Sequence, residues 1–188
     1  MDGKSPKIIQ ALGKAILENP TPKYARKIGS SKLKVLLVAV EASPYVRVGG
    51  VASVVRSLAI LLSAMGHDVR IFIPKFGFID ESVNKTQLVC EGLSVPTGDS
   101  SNPNLICNIK SHQSDNIITY FLENMEYYEL RANVYGYTDD PTRWALLNRG
   151  ALEFILSGEF VPYIIHCNKK SRERNPRLFL LQSTNLNC

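Results

Sequence analysis

The residues best placed to do chemistry lie between an apolar run ending at Val40 and a helical pattern beginning at Val51, in the segment Glu41-Ala42-Ser43-Pro44-Tyr45-Val46-Arg47-Val48-Gly49-Gly50. Two adjacent glycines at a helix entrance open the backbone to close approach, and the free N–H groups of a first helical turn, with the helix dipole behind them, favour a phosphate. Arg47, two residues before the pair, adds a cation that can make charge-assisted hydrogen bonds to a diphosphate. The segment is neither G-x-G-x-x-G nor a P-loop, and a turn-forming glycine pair beside a solvated arginine fits the same letters. The histidines offer less, because a catalytic imidazole needs a positioned partner. His67 and Asp68 read as a helix-to-strand turn, and His112 as a solvated residue of a hairpin turn. His166 stands at a strand's carboxyl end, where open α/β sheets place their ligands. Helix capping and surface pairing explain Tyr137, Asp139, Asp140 and Arg143.

These residues need elements to hold them. Val35-Leu36-Leu37-Val38-Ala39-Val40 is a continuous β-branched and apolar run, the pattern of a strand buried on both faces of a parallel sheet. From Val51 the period changes: Val51, Val54, Val55, Leu58, Leu61, Leu62 and Met65 recur at helical spacing, and Gly66 ends the helix. Val69 to Ile73 is a second strand. Strand, glycine loop, helix and strand in this order open a doubly wound, Rossmann-like α/β sheet, whose crevice lies beyond the carboxyl ends of the strands. Further strands are expected at residues 87–91, 105–110 and 117–122, with Ser111 to Asn116 as a hairpin turn. Asp140-Pro141 is expected to open a helix as N-cap and first-turn proline, running to Gly158 through Trp144, Leu147, Ala151, Phe154 and Ile155. Ile164 to Cys167 is the last strand.

Composition narrows the function classes. With 188 residues and 45% hydrophobic content the chain can build one globular domain. It has neither a run long and apolar enough to span a membrane nor a secretory signal, so the expected location is the cytoplasm, or a plastid in a plant. Four cysteines, at 90, 107, 167 and 188, show no C-x-x-C pairing, which argues against a zinc site or a disulfide framework. The net charge of +5 is unevenly spread: residues 1–34 hold eight Lys and Arg against two Asp and Glu, residues 168–188 five against one, and the stretch between carries −5. A folded nucleic-acid-binding domain would carry its basic footprint on the fold itself, so that class is excluded. The expected organisation is an N-terminal helix and basic linker over 1–33, one domain over 34–168, and a basic tail over 169–188.

Several motifs in one order then make the chain resemble a known family. The strand ending in Glu41, the loop Arg47-Val48-Gly49-Gly50, Gly66-His67-Asp68-Val69-Arg70, and Pro74-Lys75-Phe76-Gly77 to Asp80 resemble the start of bacterial-type glycogen and starch synthases that use ADP-glucose. Tyr135-Gly136-Tyr137 with Asp139-Asp140, Arg143-Trp144 and the helix after them is similar to a second family segment. Val161-Pro162-Tyr163-Ile164-Ile165-His166-Cys167-Asn168 is similar to a third. After Asn168 the likeness stops in mid-motif.

The resemblance implies the N-terminal half of a GT-B glycosyltransferase of family 5. Such an enzyme transfers glucose from ADP-glucose to an α-1,4-glucan with retention, in a cleft between two doubly wound domains. It implies ADP-glucose and an α-glucan as partners, and no metal, cofactor, nucleic acid or membrane. By position, Arg47 replaces the family's loop lysine and is implied to contact the donor phosphates with Gly49 and Gly50. Arg keeps the positive charge but presents a larger fork. Val51 stands where the family has Leu, and Ser53 where it has Asp. Tyr137, Asp139, Arg143 and His166 are the candidate acceptor or cleft residues, and the family's catalytic histidine falls beyond the matched region. The expectation is an incomplete fragment, inactive by itself. The alternatives are a non-catalytic glucan-binding or regulatory module and a GT-B transferase using another sugar nucleotide. A dehydrogenase is disfavoured by the absent G-x-G-x-x-G and by Pro74-Lys75 where an acidic residue should stand.

Overall fold

The structure, a computed structural model, describes residues 31–168 and the strand at 178–180. The expectations for residues 1–30 and for most of the tail lie outside the described residues. Strand β1, Lys34–Ala39, is buried from its second residue onward, as its unbroken apolar run requires. Helix α1, Gly50–Ala64, follows the glycine loop and buries Ala52, Val55 and Ala59. Gly66, at φ 92°, takes the left-handed conformation that turns α1 into β2, Asp68–Pro74. A one-turn helix α2, Glu81–Asn84, is capped by the Asp80 carboxylate, which accepts from the Ser82 and Val83 N–H groups. Strands β3 (Gln87–Pro96), β4 (Asn104–Ser114) and β5 (Ile117–Glu123) come next. A short π-helical turn at Met125–Glu129, helix α3 (Asp140–Leu156), β6 (Ile164–Asn168) and β7 (Leu178–Leu180) complete the described chain.

The strands form one sheet in the order β3-β4-β5-β2-β1-β6-β7. Its centre is parallel: β1 pairs with β2 and β6, and β2 pairs with β5. Its flanks are antiparallel, through β3–β4–β5 on one side and β7 on the other. The local reason lies in Asp115 and Asn116, whose φ angles of 51° and 60° make a two-residue turn that can only return the chain antiparallel. β4 therefore runs on to Ser114, past the expected end at residue 110, and His112 is a strand residue paired with Thr119 rather than part of the turn. The polar run Lys110-Ser111-His112-Gln113 looked like a turn because this strand is only half-buried. The helix start moves as well. Asp139 is the N-cap, and the Asp140 carboxylate instead accepts from the Gly136 N–H at 2.9 Å and from Arg143.

Helices cover both faces of the parallel centre. Adjacent residues of β5 point to opposite sides, and Tyr120 meets Phe154 of α3 at 4.7 Å while Phe121 meets Tyr45, beside α1, at 5.0 Å. Leu36, Leu37, Ile71, Phe72, Ile73, Phe121 and Leu122 are fully enclosed between the layers. Each such side chain contributes about 1.5–3 kcal/mol by leaving water. That core fixes the carboxyl ends of β1, β2, β5 and β6 side by side, and the loops that follow them make one rim.

Candidate functional site

The rim is organised around Glu41, the residue after β1 and Val40. Its carboxylate is fully buried. Oε2 accepts hydrogen bonds from the Val48 N–H at 2.9 Å and the Gly49 N–H at 2.8 Å, and Oε1 accepts from the Tyr135 hydroxyl at 2.9 Å. Burial, with the acceptor Glu41 beside it, pushes the Tyr135 hydroxyl far above its ordinary value, so it stays a donor. The edge of the Tyr135 ring meets Trp144 of α3 at 5.6 Å. The loop after β1 and the loop after β5 are thus joined through one carboxylate.

This geometry separates the two readings of the glycine pair. A turn-forming pair would use left-handed backbone, but Gly49 is extended (φ −138°, ψ −165°), and neither Gly49 nor Gly50 has a positive φ. Among the described residues, a Cβ on Gly50 would meet nothing within 4 Å, and one on Gly49 would meet only Glu41, at an ordinary 3.6 Å. The fold itself does not need glycine at either position, so the missing side chains leave room for something outside the chain. The expectation of free N–H groups needs one correction, because those of Val48 and Gly49 are taken by Glu41. The first turn of α1, beginning at Gly50, has neither a side-chain cap nor an acidic residue, and Arg47 is exposed beside it. An uncapped positive helix end flanked by a guanidinium is a place for an anion.

The other expected residues divide. Arg143 has no surface to offer a ligand, since its side chain is wholly buried. It donates to the Tyr127 carbonyl at 2.8 Å, the Val134 carbonyl at 2.9 Å and Asp140 Oδ1 at 2.7 Å, and stands 4.7 Å from the Trp144 ring centroid. Tyr137 is half-buried, its ring centroid 5.0 Å from each of the Arg131 and Arg143 guanidinium groups, and its hydroxyl accepts from the Asn133 N–H. Asp139 pairs with Arg131 at 2.6 Å. Tyr137, Asp139 and Arg143 are thus engaged with one another's neighbourhood and with Arg131, around the loop that carries Tyr135. His166 lies in the middle of β6, paired with Leu37, two residues short of the strand end. Asn168 holds that end, and its Nδ2 is buried without a hydrogen-bond partner among the described residues. His67 accepts from the Leu33 N–H through Nδ1 at 3.4 Å, consistent with a turn, and His112 meets the Tyr45 ring at 5.8 Å. Among the described residues, no group of three or more His, Cys, Asp or Glu side chains is arranged to hold a metal. Glu41 and Tyr135 are the residues that sequence reasoning missed as a pair. The available signal was a carboxylate ending an apolar strand, where only a satisfied charge can stand.

The comparisons with known proteins show the family and the fold. Residues 34–169 match the family model described as the starch synthase catalytic domain. The chain belongs to that family. A glycogen synthase from Desulforamulus reducens is 39% identical over 136 residues, covering 72% of this chain and 28% of that protein. One from Clostridium botulinum is 35% identical over 150 residues, covering 80% and 30%. The catalytic domain of starch synthase IV from Arabidopsis thaliana, solved bound to ADP and acarbose, matches with a TM-score of 0.65 and 26% identity over 73% of this chain and 28% of that one. The fold is that of a GT-B starch synthase catalytic domain, of which the chain spans about three tenths of the length of these relatives. Family membership places the chain among the glycosyltransferases of the glycogen and starch synthase type. No helix among the described residues is long and apolar enough to cross a membrane.

Proposed function

We propose that this chain forms part of the N-terminal half of a glucosyltransferase that moves glucose from ADP-glucose to the end of an α-1,4-glucan. The observation that carries the reading is the glycine pair, two residues that the fold does not require as glycines and that leave open space in front of an uncapped helix end. Breaking the bond between glucose C1 and the β-phosphate oxygen leaves negative charge on the departing ADP. Arg47 and the N–H groups from Gly50 onward are the groups that stabilise it, with Gly49 and Gly50 allowing the approach. The Arabidopsis relative's bound ADP and acarbose supports a nucleotide donor and a glucan acceptor for this family member. Tyr137 and Asp139, on the loop after β5, and His166 of β6 are the residues proposed for the acceptor.

The test is a titration of the isotopically labelled chain with ADP-glucose, followed through backbone amide signals. The expected result is a shift centred on Gly50 and Val51 that Arg47→Ala weakens. Gly50→Val should abolish it while leaving thermal stability within about 1 kcal/mol, because the space is open. Shifts that ignore the glycine loop would count against the donor assignment. Retardation in glycogen-containing gels measures the acceptor side independently.

A further inference from the structure

We propose that Glu41 and Tyr135 are positioning residues that lock the glycine loop to the loop after β5, so that these two loops of the rim move as one body. The inference rests on the donor reading above for its consequence, but on geometry alone for the lock. Glu41 is fully buried, so it touches no substrate. Its three donors come from two separate loops: Val48 and Gly49, seven and eight residues away, and Tyr135, 94 residues away. The carboxylate fixes the Val48 and Gly49 N–H groups immediately before the uncapped start of α1, and so fixes the backbone from which that helix sets out. Tyr135 is in turn held by its edge contact with Trp144, whose neighbour Arg143 anchors the same loop through the Val134 carbonyl.

An ordinary electrostatic role makes the opposite prediction, which is what renders the proposal testable. A carboxylate near an anion site repels the anion, so on charge alone any neutral replacement of Glu41 would tighten anion binding. A lock distinguishes between replacements. Glu41→Gln can keep its carbonyl oxygen on Val48 and Gly49 and turn its amide towards Tyr135, whose hydroxyl rotates to accept. Glu41→Ala keeps neither bond.

The experiment uses the full chain, amide hydrogen exchange, and inorganic pyrophosphate as the anion probe. Wild type is expected to protect the Val48 and Gly49 amides. Glu41→Ala should speed their exchange at least about tenfold and weaken pyrophosphate binding by a similar factor. Glu41→Gln should keep the protection and bind pyrophosphate at least as well as wild type. Tyr135→Phe, which removes one tie without emptying the core, should speed exchange at Val48 and Gly49 about threefold. It gives the answer if Glu41→Ala does not fold. Tighter pyrophosphate binding by Glu41→Ala, or unchanged exchange at Val48 and Gly49 in Tyr135→Phe, overturns the proposal. If wild type protects these amides but pyrophosphate leaves Gly50 and Val51 unmoved, the donor reading fails while the lock stands.

Discussion

Replacing Arg143 by methionine tests whether this arginine holds the fold or awaits a ligand. Methionine fills much of the same volume but leaves the Val134 and Tyr127 carbonyls without their donor, the first of them in a fully buried bond. An unsatisfied buried group costs about 1–3 kcal/mol. Contacts with the Trp144, Tyr137 and Phe76 rings at 4.7, 5.0 and 5.8 Å are lost as well. Each cation–π contact contributes about 0.5–2 kcal/mol, the most distant the least. Asp140 keeps its bond from the Gly136 N–H and is partly exposed, so its loss adds little. The expected destabilisation is about 3–5 kcal/mol, which at a urea slope of about 2 kcal/mol per molar lowers the unfolding midpoint by about 1.5–2.5 M. Urea unfolding followed by far-ultraviolet circular dichroism, with Trp144 fluorescence as a second probe, measures it. Arg143→Lys, which keeps the charge but not the fork, should fall between the two. A loss below about 1 kcal/mol would refute the structural role and return Arg143 to the list of ligand-binding candidates.

Three further outcomes are expected. Gly77→Ala should destabilise by about 1–3 kcal/mol in the same urea assay, because its Cβ would stand 2.2 Å from the Glu129 carbonyl oxygen, a backbone atom that cannot swing aside. Burial, reinforced by Glu123, raises the Glu129 carboxyl above its ordinary value. A raised carboxyl favours the fold below its unfolded value and loses that contribution as pH rises through its folded one, so charged Glu129 opposes folding at neutral pH. Glu129→Gln should therefore melt higher than wild type at pH 7 and show no such advantage at pH 4 in a series of thermal melts. Burial pushes the Cys107 thiol up to about 11, so mass spectrometry after iodoacetamide treatment at pH 8 should find it unlabelled in the native chain and labelled after unfolding.

Sequence by itself determined the order of the elements and the place of the glycine pair between strand and helix. Val35 to Val40 had to be a doubly covered strand, the change of period at Val51 had to be a helix, and the glycine pair had to stand between them, because backbone propensity and side-chain period are local properties. The family followed from the same local motifs. Tertiary structure decided which polar groups face solvent and which are enclosed. Arg143 and Glu41 look alike in the sequence, as charges near a glycine or a helix end, yet both are sealed inside by contacts the local spacing does not encode. The Glu41 carboxylate is satisfied by a hydroxyl 94 residues away, and the glycine pair could be separated from an ordinary turn only once its φ angles and the empty space before it were known. Likewise, the polar letters of β4 concealed a strand until β5 paired with it. Desolvation depends on everything that surrounds a group, and only the assembled fold specifies those surroundings.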